Sequence, residues 1–344
     1  MSYRLLKTRQ DGYTLWIEVH NPPVNFVTTD LLAELYQAIR AAERDTSVRV
    51  VVLTSGIPGR YLFHFSIPEI VKIGPDNKKL GVNLIFSGTL SSALMRWQMA
   101  LNLRLLRTFP AYASAILGMS KAIRKRLPTG YLLMQMMATG YAIENCRKIT
   151  IAAISGTCNG SATEMASCFD FRFMIGDGGY SISHTEALIG ILPGGGGTQR
   201  VTRLLGRAKA IELMLGCEVW SPQEAKRLGL ITDCFPQATF VEQVQAYADR
   251  MSRRSLIAFT QGRMAITQGI GVELSRGLAL ETAASVRCCA DPNSREALIA
   301  YEAFLQREVE DKPADPATSE QAVAFLESDA ITRFHMQSSS PPRV

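Results

Sequence analysis

The sequence has neither the long apolar run of a membrane protein nor the cysteine pattern of a small secreted one. Its 344 residues contain no uninterrupted apolar stretch of 18, so no membrane span is predicted. The seven cysteines are an odd number, and no C-x-x-C or Cys/His grouping indicates zinc or a disulfide framework. The N-terminus leads into a predicted strand without the apolar region of a signal peptide. We therefore expect a cytoplasmic protein without a metal site.

Length and composition predict one sizeable core with an appendage, because 344 residues are many for one domain and few for two. The charge is unevenly distributed along this chain. The formal net charge is +6, yet residues 72–140 contain ten Lys and Arg residues against one acidic residue, a net +9. No recognised nucleic-acid-binding motif accompanies these cations, so we do not expect nucleic acid as a partner.

The stretch with the clearest chemical pattern covers residues 147–200. The apolar run at residues 148–154 is typical of a buried strand, Gly156 and Gly160 interrupt it, and a helix is predicted to begin at Ser161. Backbone N–H groups at such a helix start can hold developing negative charge. Glu164 lies one helical turn further on, and Glu186 precedes the glycine-rich residues 193–200.

This order of motifs resembles the crotonase superfamily, the enoyl-CoA hydratase/isomerase proteins. Family members have a strand ending in A-A-(V/I)-x-G, a glycine-rich turn, a helix-borne glutamate, and a second glutamate before P-G-x-G-G-T-Q-R. The matching positions here are residues 152–156, Glu164, Glu186 and residues 193–200. The resemblance implies an α/β fold with a ββα-spiral core, a C-terminal helical trimerisation region and, in this chain, a helical insertion. The predicted divisions are a core of residues 1–71 and 141–205, an insertion of residues 72–140, a helical region of residues 206–310 and a partly disordered tail of residues 311–344.

The resemblance also implies an oxyanion hole made of two backbone N–H groups, and this chain departs from the family at both. Where members have F-x-A-G-x-D-(I/L)-x-E, residues 61–69 place His64 at the glycine and Phe65 at the first donor. Ser161 takes the second donor position, between Gly160 and Ala162. Any residue except proline supplies the N–H. His64 is either an extra acid–base group or a wall of the pocket, and Phe63, His64, Gly160 and Gly195 are predicted to contact substrate.

Residues 72–140 exceed the corresponding family segment. Apolar residues recur at helical spacing over residues 112–123, with Lys121 and residues 124–126 largely off that face. Six of the 13 methionines also lie in this segment. Two interpretations stay open: a subunit contact or lid, or a pocket for a long acyl chain whose basic rim meets CoA phosphates, an acidic carrier protein or another anionic partner.

The predicted function is an enoyl-CoA hydratase-like lyase that adds water to, or removes it from, an α,β-unsaturated acyl thioester. Glu164 and Glu186 would be the catalytic pair, the thioester of coenzyme A or acyl carrier protein the substrate, and no cofactor is expected. The alternatives are double-bond isomerisation or thioester hydrolysis on the same scaffold, and a catalytically silent subunit that binds acyl thioesters. The resemblance implies a homotrimer or hexamer.

Overall fold

The computed structural model describes residues 3–71, 89–118, 128–310 and 318–336. Its ten strands are β1 (Leu6–Asp11), β2 (Thr14–Val19), β3 (Val50–Ser55), β4 (Gly59–Arg60), β5 (Ile149–Ile154), β6 (Gly156–Asn159), β7 (Phe171–Ile175), β8 (Ile182–Ser183), β9 (Val219–Trp220) and β10 (Asp233–Phe235).

Helices in the described residues fall into four groups along the chain. The first half has α1 (Thr29–Arg44) and α2 (Ile67–Val71), followed by α3 (Thr89–Thr108), α4 (Pro110–Leu117) and α5 (Pro128–Glu144). The second half has α6 (Ser161–Ala166), α7 (Gly197–Met214) and α8 (Pro222–Arg227), then α9 (Phe240–Ser252), α10 (Leu256–Gly269), α11 (Leu274–Cys289) and α12 (Pro292–Leu305), and finally α13 (Thr318–Glu327) and α14 (Asp329–Met336).

The larger sheet has the strand order β1-β2-β3-β5-β7-β10, antiparallel between β1 and β2 and parallel elsewhere. Side chains alternate between its faces, so both faces are buried. Val51 and Leu53 pack with α1 on one side, whereas Val50 and Val52 pack with α9 on the other. This double coverage explains why these strands are continuous apolar runs in the sequence.

A smaller sheet, ordered β4-β6-β8-β9, lies beyond the carboxyl ends of β3 and β5. Only glycine fits at residue 156 because a Cβ atom there would come within 2.3–2.5 Å of the Gly59 and Arg60 backbone. This close approach lets β4 and β6 pair side by side. The predicted strand, turn and helix start of residues 148–161 are thus confirmed as β5, β6 and α6.

The predicted insertion contains three described helices. Helix α4 ends at Leu117 and is capped at Gly118, so the helical register predicted for residues 112–123 is observed only in its first half. Met119, Lys121, Ile123 and residues 124–126 lie outside the described residues. Helix α5 crosses the predicted boundary at residue 140 and packs against α1, where Thr139 donates to the Leu32 carbonyl.

The C-terminal half is helical, as predicted. The serine cap predicted at Ser221 is confirmed, since its hydroxyl accepts a hydrogen bond from Glu224 N at 3.1 Å. Two helices were not predicted: α10, and α14, which occupies part of the tail expected to be disordered. Ion pairs from Arg253 to Asp329 and from Arg254 to Glu327 attach this last segment to the end of α9. No described helix is both long and apolar enough to cross a membrane.

Candidate active site

Glu164 is buried at the start of α6, with 1% of its surface exposed. Its Oε1 atom accepts hydrogen bonds from Gly195 N at 2.7 Å and Gly197 N at 2.8 Å. Its Oε2 atom is also buried and has no partner among the described residues. Burial raises the pKa of the Glu164 carboxyl, although the two backbone donors oppose this shift. The environment therefore favours a neutral carboxyl with one oxygen left for chemistry.

The loop of residues 193–200 positions Glu164 by its backbone. Arg200 donates to the Gly195 carbonyl at 2.7 Å, and its guanidinium forms an ion pair with Glu144 at the end of α5. A Cβ atom on Gly195 would meet Met136 at 2.3 Å and Glu164 Oε2 at 2.9 Å. Since the Gly195 N–H is used by Glu164, the predicted substrate contact of this residue stays a prediction.

Glu186 begins a short 3₁₀ helix, Glu186–Ile189, directly after β8. Its carboxylate lies over Gly160, where a Cβ atom would be 3.0 Å from Glu186 Oε1 and 3.2 Å from His64 Cβ. Gly160 also has φ of +61°, a conformation that glycine adopts without strain. The Glu186 charge contributes to the raised pKa of Glu164. The fold thus brings both predicted glutamates, Gly160 and His64 to one place.

His184 is a site residue that the sequence did not reveal. It is fully buried, and its Nδ1 atom lies 3.3 Å from Glu186 Oε2. The proton belongs on Nδ1, because an ionised carboxylate can only accept a hydrogen bond. His184 Nε2 is buried without a partner among the described residues. The signal was available: residues 184 and 186 follow an extended strand, where residues two apart share a side.

The two predicted N–H donors come from segments that meet at Gly160. Residues Asn25 and Val27 hold the first segment: Phe63 N donates to Asn25 O at 3.0 Å, and Ser66 N donates to Val27 O at 2.9 Å. Phe65 pairs with Val27 in a parallel bridge. Within the described part of the chain, neither Phe65 N–H nor Ser161 N–H has a hydrogen-bond acceptor. Both groups are free to bind a carbonyl oxygen.

Aromatic rings form one wall beside the first donor segment. The His64 ring lies 4.4 Å from that of Phe63 and 5.1 Å from that of Phe26, measured between centroids. His64 Nδ1 lies 2.8 Å from the Phe65 carbonyl oxygen. This packing favours the wall interpretation of His64 over an acid–base role, and contact of Phe63 or His64 with substrate stays a prediction.

Sequence comparison identifies the family. A family model described as enoyl-CoA hydratase/isomerase matches residues 130–312, more than half of the chain. A short-chain-enoyl-CoA hydratase of Clostridioides difficile is 30% identical over 157 residues, which are 46% of this chain and 99% of that protein. An enoyl-CoA isomerase/hydratase, fer4, of Mycosarcoma maydis is 37% identical over 153 residues, 44% of this chain and 56% of that protein. The match spans only 56–60% of the length of the first two curated relatives. This chain belongs to the enoyl-CoA hydratase/isomerase family.

Solved structures support the fold. An enoyl-CoA hydratase from Bacillus anthracis superposes with a TM-score of 0.67 at 23% identity, covering 88% of this chain and 97% of that one. An enoyl-CoA hydratase subunit from Geobacillus kaustophilus also gives 0.67, at 22% identity, covering 91% and 98%. The predicted resemblance to the crotonase superfamily and the predicted α/β fold with a C-terminal helical region are therefore confirmed.

Proposed function

We propose that this protein adds water across the double bond of an α,β-unsaturated acyl thioester. The observation that carries the proposal is the pairing of Glu164 and Glu186 beside two unoccupied backbone donors, Phe65 N–H and Ser161 N–H. Hydration needs a base for water, a proton for Cα and donors for the enolate-like oxygen. The hydratase names of several relatives agree with this reaction.

The two carboxyls begin the reaction with one proton between them. Burial favours its location on Glu164, and the His184 N–H favours the ionised form of Glu186. Glu186 removes a proton from water as the water oxygen bonds to Cβ. The electron pair of the double bond moves onto the thioester, and Glu164 then delivers its proton to Cα. Water has been added, and the proton of the pair now lies on Glu186; its return to Glu164 completes the cycle.

The thioester oxygen gains negative charge in the middle of this sequence. Phe65 N–H and Ser161 N–H would hold that charge, and one such donor is typically worth about 2.7–4 kcal/mol. Both donors are part of the backbone, so replacing a glycine by His64 or Ser161 does not remove them.

The experiment that tests the function is ultraviolet absorbance of crotonyl-CoA and of a longer enoyl-CoA, with and without the protein. Loss of the enoyl band with formation of the 3-hydroxyacyl product supports hydration. A shifted double bond without water uptake would indicate isomerisation, and released free CoA would indicate thioester hydrolysis. Binding without any turnover would indicate a silent subunit.

The Ser161 donor makes a separate prediction. Ser161→Ala should keep most of the hydration rate because the N–H remains, whereas Ser161→Pro, which deletes it, should lower kcat by at least about 10²-fold. The measurement is kcat for crotonyl-CoA hydration, with circular dichroism as a check of folding. An alanine variant as impaired as the proline variant would mean that the hydroxyl, not the N–H, is the working group.

Several predictions stay predictions. They are the homotrimer or hexamer, the acyl chain length, the choice between coenzyme A and acyl carrier protein, and the anionic partner of residues 72–140. The cations at Lys121 and residues 124–126, on which the last depends most, lie outside the described residues.

A further inference from the structure

A second cavity, of about 700 Å³, lies at the amino-terminal ends of β3 and β5, whereas Glu164 follows the carboxyl end of β5. We call it the basic cavity. Helices α1, α3, α5, α10 and α14 all contribute to its walls. Its volume falls in the range that binds small molecules, about 300–1,000 Å³. None of the candidate active-site residues lines it.

Cations outnumber acids in the lining of the basic cavity. The lining contains seven Arg and Lys residues and three acidic residues. Arg40 and Arg147 form ion pairs with Glu43, and Arg263 forms one with Asp170. These pairs leave the charges of the remaining cations uncompensated.

Arg49 and Lys148 are the two buried cations among those that remain. Each is 7% exposed, and neither forms an ion pair with a described residue. Arg49 donates to the carbonyls of Ser252 and Arg254 at 2.6 and 2.9 Å, and Lys148 donates to the Asp45 carbonyl at 2.7 Å. Burial lowers the pKa of both groups, and the Arg49 charge lowers that of Lys148 further. Two neighbouring cations buried without an anion are costly, because buried charges ordinarily have counter-charges.

Two unsatisfied acceptors line the same cavity. Gln261 Oε1 and His335 Nδ1 are buried and have no hydrogen-bond partner among the described residues. Burial lowers the pKa of His335, which favours the neutral ring with a free acceptor nitrogen. Buried groups of this kind are usually met by water or by a ligand.

We propose that the basic cavity binds a small organic anion, whose phosphate or carboxylate group lies between Lys148 and Arg49. The anion supplies the missing counter-charge, and Arg44 and Arg107 at the rim add to the attraction. Polar substituents on the ligand would meet Gln261 and His335. This inference is independent of the proposed hydration reaction, since the two sites share no lining residue.

The test is calorimetric titration of the full chain with pyrophosphate and, separately, citrate at low ionic strength. We expect saturable binding of at least one anion. Tighter binding of pyrophosphate assigns phosphate chemistry to the ligand, and tighter binding of citrate assigns carboxylate chemistry. Lys148→Gln removes one charge-assisted hydrogen bond and should weaken binding about tenfold or more. Arg107→Gln, at an exposed position where folding is not at risk, should weaken it in the same direction.

Lys209→Gln is the matched control. It removes the same charge from an exposed ion pair with Glu212, outside the basic cavity, and should leave affinity unchanged. Absence of binding by the wild-type chain would overturn the proposal, and so would equal losses in Lys148→Gln and Lys209→Gln. It would also be overturned if Lys148→Gln changed only the association state in sedimentation, because a second copy would then fill the cavity. No readout uses turnover.

Discussion

Glu164→Gln and Glu186→Gln should each lower kcat for enoyl-CoA hydration by about 10²–10⁴-fold, while KM changes little. Glutamine keeps the shape of the side chain but can neither take a proton from water nor give one to Cα. Because the two carboxyls act as a pair, the double variant should be far less impaired than the product of the two single losses predicts. The measurement is steady-state kinetics with crotonyl-CoA. Near-native turnover in either single variant would contradict the mechanism.

Two controls accompany this prediction. Glu281→Gln makes the same chemical change at an exposed position of α11 and should leave kcat unchanged. The second control is stability as a function of pH. Since the pKa of Glu164 is raised on folding, the wild type loses stability as pH rises through the folded-state pKa. Glu164→Gln has no such ionisation, so its free energy of unfolding should increase relative to the wild type with rising pH.

His184→Leu should lower kcat about ten- to a hundredfold with little effect on KM. The leucine fills the buried space but cannot donate to Glu186, and a hydrogen bond to a charged group is worth about 1.5–3 kcal/mol. His184 does not have to touch substrate for this effect; it acts as a positioning residue that orients Glu186 and favours its ionised form. The measurement is kcat and KM for each variant under identical conditions.

The asparagine and glutamine variants separate this role from simple packing. The amide nitrogen of His184→Asn occupies the place of Nδ1 and can still donate to Glu186, whereas that of His184→Gln reaches toward the place of Nε2. We therefore expect Asn to recover much of the lost kcat and Gln to recover less. If Leu, Asn and Gln were equally active, or if melting temperature alone followed the changes, the positioning role would be wrong.

Residues close together in the chain were predictable because local pattern alone determines them. The apolar run of β5, the turn at Gly156 and Gly160 and the start of α6 at Ser161 were all predicted, and the Ser221 cap was too. Helix α10 was missed since its apolar residues do not form one clear stripe, and none of them is fully buried. Helix α14 was missed because its stability depends on contacts with Arg253 and Arg254 that are remote in sequence.

The sequence by itself determined the family, the two glutamates and the backbone donor positions, because each depends on residue identity within a short segment. Only the tertiary structure decided how these groups work. It showed that Glu164 is held by Gly195 and Gly197 from 31 and 33 residues away, and that His184 is turned onto Glu186. It also brought the unpaired Arg49 and Lys148 together on neighbouring strands. Burial, charge compensation and hydrogen-bond satisfaction are properties of the surroundings, and the surroundings exist only once distant segments have packed.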